Sequence, residues 1–243
     1  MEYFCLGIKL QQLTITIMIR FRFFLFGLMF SLVSCVPTKM RTSSVKPSEI
    51  KDLAYFEPEA YIYLIKKGNQ GEYNDSMSMV AFENLTKTID LYKPRYPITE
   101  KIEIENDSLR YLVSKEISYL MNTAMQTRRL KRIKLTPKID SILDARQQRF
   151  ALALMATGFG RTRGNYGKQI AKGVGVGILT GVVYVPAKSN LTIIGIIFDA
   201  ENDEVIFFNK TKPMEKNPTE ILPMKRQFWH LFNGYFWERF QYS

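Results

Sequence analysis

Arg149-Phe150-Ala151-Leu152-Ala153-Leu154-Met155-Ala156-Thr157 is nearly continuously apolar and carries almost no turn signal. A run of this length suits a central strand covered on both faces, because a strand with one wet face would alternate apolar and polar residues. The flanks agree. Thr136-Pro137 reads as a cap followed by proline at the first helical position, opening a short helix from Lys138 to Ala145 that carries Ile139, Ile142 and Leu143. Downstream, Leu191–Phe198 and Glu204–Asn209 are β-rich and are joined by the polar residues 199–203, which predicts a hairpin. A strand fed by a helix and followed by a hairpin predicts a mixed sheet flanked by helices, an α/β (mixed α+β) single domain over residues 52–243.

Upstream, Ala60-Tyr61-Ile62-Tyr63-Leu64-Ile65 reads as the first strand and Gly68-Asn69-Gln70-Gly71 as its turn. Asp75 or Ser76 is the expected cap of a helix with Phe82, Leu85, Ile89 and Tyr92 on one face, stopped by Pro94 and Pro97. Ile98–Ile104 alternates as a half-wet strand. Asp107-Ser108 then caps a helix striped by Leu109, Leu112, Val113, Ile117, Leu120, Met121 and Ala124. Arg128 to Leu135 is the densest basic stretch. It reads either as an anion-binding patch or as a helix end running into an edge strand. The second is favoured, since no aromatic residue is there to stack on bases, and nucleic acid is not expected as a partner. The last helix begins near Pro223, and its Phe228, Trp229, Phe232, Tyr235 and Phe236 either pack on the sheet or form a membrane-interface belt.

Between the central strand and the hairpin lies Gly158-Phe159-Gly160-Arg161-Thr162-Arg163-Gly164-Asn165-Tyr166-Gly167-Lys168. It fails the phosphate-loop pattern, which needs glycine at 162 and Ser or Thr at 169, where the chain has Thr162 and Gln169. Arg161, Arg163 and Lys168 are candidate partner or membrane contacts in an exposed basic loop. Gly173, Gly177 and Gly181 recur every fourth residue, so on a helix they share one bare face. That face fits packing within the domain, an oligomer contact, or a membrane-inserting element near 170–185.

The N-terminus reads as an address. Arg20 and Arg22 precede Phe23-Phe24-Leu25-Phe26-Gly27-Leu28-Met29-Phe30-Ser31-Leu32-Val33-Ser34-Cys35, whose apolar part is too short to span a bilayer. Leu32-Val33-Ser34-Cys35 resembles the bacterial lipobox, which implies removal of a signal peptide over residues 1–34 and lipidation of Cys35. The other reading is a buried apolar segment with an ordinary cysteine. Met18 is a better signal start than Met1, so residues 1–17 look like an over-extended start. Residues 35–51 then read as a flexible lipidated tether.

The whole chain carries 34 Lys+Arg against 23 Asp+Glu, a net charge of +11, which favours anionic surfaces. His230 is the sole histidine, so histidine-built metal sites and the common catalytic triads are out of reach. Asp140 and Asp144 share a helical face, but a carboxylate pair alone does not make an acid/base site. No cofactor and no catalytic residue are expected.

From Thr136 to Phe236 the chain resembles uncharacterised lipoproteins of Bacteroidota, on Thr136–Leu143, the Phe159–Lys168 stretch and Phe232-Asn233-Gly234-Tyr235-Phe236. The strand, hairpin and closing helix also resemble the small α/β envelope domains of the TolB N-terminal and CsgG kind. The second likeness implies an assembly or secretion accessory role; with the lipobox, the missing catalytic chemistry and no acidic run after Cys35, the expectation is a non-enzymatic, membrane-anchored envelope lipoprotein, at the outer membrane facing the periplasm, that binds a protein or envelope partner. The CsgG likeness implies a homo-oligomer inserting the 170–185 segment as the alternative.

Overall fold

The longest strand is the one the apolar run announces. In this computed structural model, which describes residues 40–43, 45–181 and 185–236, β6 runs Phe150–Arg161. Ahead of it come β1 (Arg41–Thr42), β2 (Leu53–Tyr55), β3 (Glu59–Lys67), β4 (Gln70–Tyr73), α1 (Asp75–Tyr92), β5 (Ile98–Lys101), α2 (Asp107–Gln126) and α3 (Pro137–Ala145). After it come α4 (Arg163–Thr180), β7 (Ser189–Asp199), β8 (Glu204–Lys210) and α5 (Ile221–Phe232). The eight strands form one open mixed sheet, ordered β1-β8-β7-β6-β2-β5, with β3 on β6 and β4 outside β3.

Alternation along β6 feeds two cores. Phe150, Leu152, Leu154 and Ala156 join α1 and α5 through Leu85, Ile89, Phe228 and Phe232. Ala151, Ala153 and Met155 join α2 and α3 through Val113, Ile117, Leu120 and Leu143. The domain is therefore three layers, helices on both faces of the sheet, which is why β6 could not show a polar face. The expected hairpin is present, and Phe198 pairs with Val205 while Ile197 pairs with Phe207, so Ile206 is the extra residue of a bulge. The C-terminal aromatics pack inward: Phe232 stacks on Phe207 at 5.6 Å and Phe228 meets Tyr96 at 5.8 Å. α5 lies so close to the sheet that a Cβ on Gly195 would stand 2.7 Å from Leu231 Cδ2.

Several expectations shift. The stretch 35–51 was expected as tether, yet from Arg41 onward it is built into the fold. Arg41 and Thr42 pair with Phe208 and Phe207, Ser43 N–H donates to Ile206 O at 2.8 Å, and Ile50 is fully buried. The Arg41 guanidinium donates to Thr127 O and lies over the Phe208 ring at 4.9 Å. The helix caps fall one residue earlier than Asp75 and Asp107: Asn74 accepts from Met77 N at 2.9 Å, and Asn106 from Leu109 N at 2.9 Å. Asparagine accepts without a charge to desolvate, and the aspartates take the first turn, where the helix dipole favours them. Thr136 makes no cap bond, and its Oγ1 is buried without a partner among the described residues; Pro137 alone marks that start. The basic stretch is an extended passage around a 3₁₀ turn, Leu130–Arg132, with Leu130, Ile133 and Leu135 buried and its cationic side chains in solvent.

Candidate functional site

One edge of β6 is paired along its whole length and the other is not. β7 runs antiparallel to it from Phe150 to Gly160. On the opposite edge β2 covers only Phe150–Leu152, and β3 takes over at Met155, both parallel. Between them Phe56-Glu57-Pro58 steps away from the ladder after Phe56 N–H donates to Leu152 O at 2.9 Å. Pro58 has no N–H to continue the ladder, so the sequence itself forks the sheet. β5 follows β2 on one branch, while β4 follows β3 on the other through a two-residue turn with Gly68 at φ 59°. The first turns of α1 and α2 border the gap from opposite faces of the sheet.

The gap is a cleft of about 560 Å³, within the range of about 300–1,000 Å³ usual for ligand sites. It lies beyond the C-terminal ends of the parallel strands β2 and β5, where open α/β sheets tend to bind ligands. Phe56, Pro58 and Ala60 line its sheet side, Met79 and Phe82 come from α1, and Val113 and Ile117 from α2. Tyr73 and Tyr111 stand at its rim, 51% and 61% exposed.

Four carboxylates and one guanidinium also border the cleft. Arg110 donates to Asp107 Oδ1 at 3.0 Å and to Ile104 O at 2.8 Å, and its Nε lies 3.6 Å from Glu57 Oε2. Lys101 sits 3.5 Å from the other Glu57 oxygen. Asp75 and Asp107 occupy helix first turns, so the dipole accounts for them. Glu59 is different. Its carboxylate accepts from Tyr61 Oη at 2.9 Å and from the Ser114 hydroxyl, and no cationic side chain among the described residues pairs with it. Burial raises its pKa, opposed by those two hydrogen bonds; burial and the Glu59 charge together raise Tyr61. Among the described residues no three His, Cys, Asp or Glu side chains are grouped to hold a metal ion, so the acids here do not converge on a point. The arrangement is a fixed acceptor between aromatic rings.

The residues singled out from the sequence lie elsewhere. Cys35 is outside the described residues. Arg161 closes β6, and all three guanidinium nitrogens donate, to Ala187 O, Gly68 O, Asn165 Oδ1 and Asn69 Oδ1 at 2.9–3.0 Å. It pins the β3–β4 turn to the start of α4. Arg163 and Lys168 are exposed on α4, so the expected basic loop is a strand end and a helix start. Lys168 faces Lys66, Lys67 and Lys172 around a shallow hollow of about 350 Å³. Gly173 is buried and Gly177 lies within the helix, while Gly181 follows its end at φ 72°, a left-handed stop suited to glycine. Val174, Val176 and Ile178 on the same helix are 42%, 55% and 80% exposed. No described helix is long and apolar enough to cross a membrane.

The cleft residues carried only a structural reading in the sequence. Glu59 and Tyr61 read as part of a strand, and Ser114 as one turn of an amphipathic helix. The break Glu57-Pro58-Glu59 between two β-rich runs was the signal that could have placed a discontinuity there.

No family model matches the chain, and no curated protein matches it. Among solved structures it is similar to a crystal structure of a DUF4136 family protein from Bacteroides thetaiotaomicron, at 7% identity and a TM-score of 0.29, covering 79% of this chain and 93% of that one. At those values the likeness says nothing of function.

Proposed function

We propose that the protein is a non-enzymatic lipoprotein of a bacterial cell envelope, held by lipid on Cys35 at the outer membrane on the periplasmic side, whose folded domain is a binding module. The observation that carries the binding role is the cleft at the sheet fork. Its acidic floor is held by a hydroxyl and a phenol, which fix an acceptor but activate no nucleophile. The anchor rests on Leu32-Val33-Ser34-Cys35 behind a basic and apolar leader. Labelled palmitate fed to cells tests it: wild type incorporates label into the membrane fraction and Cys35→Ala does not. Equal labelling of both ends the lipoprotein reading.

A second reading, a homo-oligomer built through α4, is favoured by one observation. Val174, Val176 and Ile178 stand exposed along a helix whose Gly175 has open space around it. An oligomer would show a detergent-solubilised mass several times 28.3 kDa, reduced by Ile178→Glu; a monomer mass in wild type removes this reading.

A further inference from the structure

The geometry points to an organic cation, a primary ammonium or guanidinium on an apolar stem, as the ligand of the fork cleft, with Glu59 as its counter-ion and the rings of Tyr61 and Tyr73 as its walls. This inference rests on the reading of the domain as a binding module and is independent of the lipid anchor.

Three features converge. First, Glu59 is the one lining carboxylate that neither a cationic side chain nor a helix terminus accounts for. A carboxylate offers roughly four acceptor positions; Tyr61 and Ser114 use two, which leaves spare capacity on a residue that lines the cleft. Burial without a countercharge is unfavourable for an ionised carboxyl, and an incoming cation would offset it. Second, Tyr61 and Tyr73 both line the cleft, 6.4 Å apart at an interplanar angle of 49°, and Tyr63 and Tyr73 meet edge to face at 6.2 Å. Aromatic rings lining a recess offer electron-rich faces on which a cation can settle. The rim ring of Tyr111 already carries the Lys115 ammonium 4.6 Å from its centre, so this surface accepts such a group. Third, the carboxylates do not converge as a metal set, whereas Met79, Phe82 and Val113 give an apolar wall for a stem. The positive ends of α1 and α2 would favour an anion, but Asp75 and Asp107 already sit on them. In a chain of net charge +11, this is an acidic, aromatic recess.

The test titrates the full-length chain in detergent at pH 7 with three probes: phenethylamine, the blocked peptide acetyl-Ala-Lys-Ala-amide, and 2-phenylethanol as the neutral isostere of the first. Binding is read by calorimetry and by tyrosine fluorescence. A cationic probe should bind at least about tenfold more tightly than 2-phenylethanol, and Glu59→Gln should remove that margin. Tyr73→Ala, at a half-exposed position, should weaken the same probe several-fold with an unchanged circular dichroism spectrum. Tighter binding of phenethylamine assigns a free small amine; tighter binding of the peptide assigns a basic side chain of a partner. Equal binding of alcohol and amine overturns the cation preference yet leaves a binding cleft. No binding of any probe at millimolar concentration overturns both, without touching the palmitate result. Should Glu59→Gln not fold, the amine-to-alcohol ratio of wild type and of Tyr73→Ala decides.

Discussion

The two edges of β6 are made from the same strand and do opposite things. Against β7, eleven consecutive registers close without a gap, from Phe150 opposite Asp199 to Gly160 opposite Ser189. Against β2 and β3, the ladder is interrupted by Phe56-Glu57-Pro58, and the interruption holds the cleft. A continuous edge satisfies every backbone group and leaves nothing to offer a ligand. A broken edge gives up ladder bonds and gains a recess whose walls come from four different elements. The continuous ladder and the recess are thus separated across a single strand, and the separation can be attacked from either side.

The largest effect belongs to the continuous side. Phe232→Ala removes a ring buried against Phe207, Tyr96 and Phe228 and should cost about 3–5 kcal/mol in denaturant unfolding. A cost below about 1 kcal/mol would mean α5 does not hold the sheet as described. Gly195→Ala comes next. Its Cβ would meet Leu231 Cδ2 at 2.7 Å, so the buried Leu231 side chain must give way, at about 1–3 kcal/mol. On the broken side, Asn74→Ala removes the cap of α1 and should cost about 1 kcal/mol, with the loosening read as faster amide exchange at Met77.

The smallest effect is on Glu59, and its sign is opposite. Its folded pKa is raised, so the folded state holds its proton more tightly than the unfolded chain, and stability falls as pH rises from near 4.5, the ordinary value of a glutamate carboxyl, through the raised value. Asp140 is shifted the same way by burial and by Asp144 and Asp203. The difference between wild type and Glu59→Gln isolates Glu59. The variant should lose the cost of burying that charge and be at least as stable as wild type at pH 7, with the gap closing below pH 4.5. A Glu59→Gln variant markedly less stable at pH 7 would show that the carboxylate is needed by the fold and not spare for a ligand.

The same asymmetry explains what could be read from the chain. β6, the β7–β8 hairpin and the stripes of α1 and α2 announce themselves because long elements repeat their pattern many times. β1, β2 and β4 are two to four residues long and carry no periodicity of their own. They exist because neighbours offer free edges. The cleft was invisible for a related reason: Glu59 and Ser114 lie far apart in sequence, and only the parallel crossover joins them. Arg161 misled in the other direction. A cation in a glycine-rich stretch looks available for an anion, yet each of its three nitrogens donates to a carbonyl oxygen that a sequence cannot position.

The outermost strand has one more consequence. With Arg41 and Thr42 hydrogen-bonded to β8, the described chain enters the fold at one margin of the sheet. The forked flank lies across the sheet from that margin, so the way the chain enters the fold can be altered without touching the lining of the cleft.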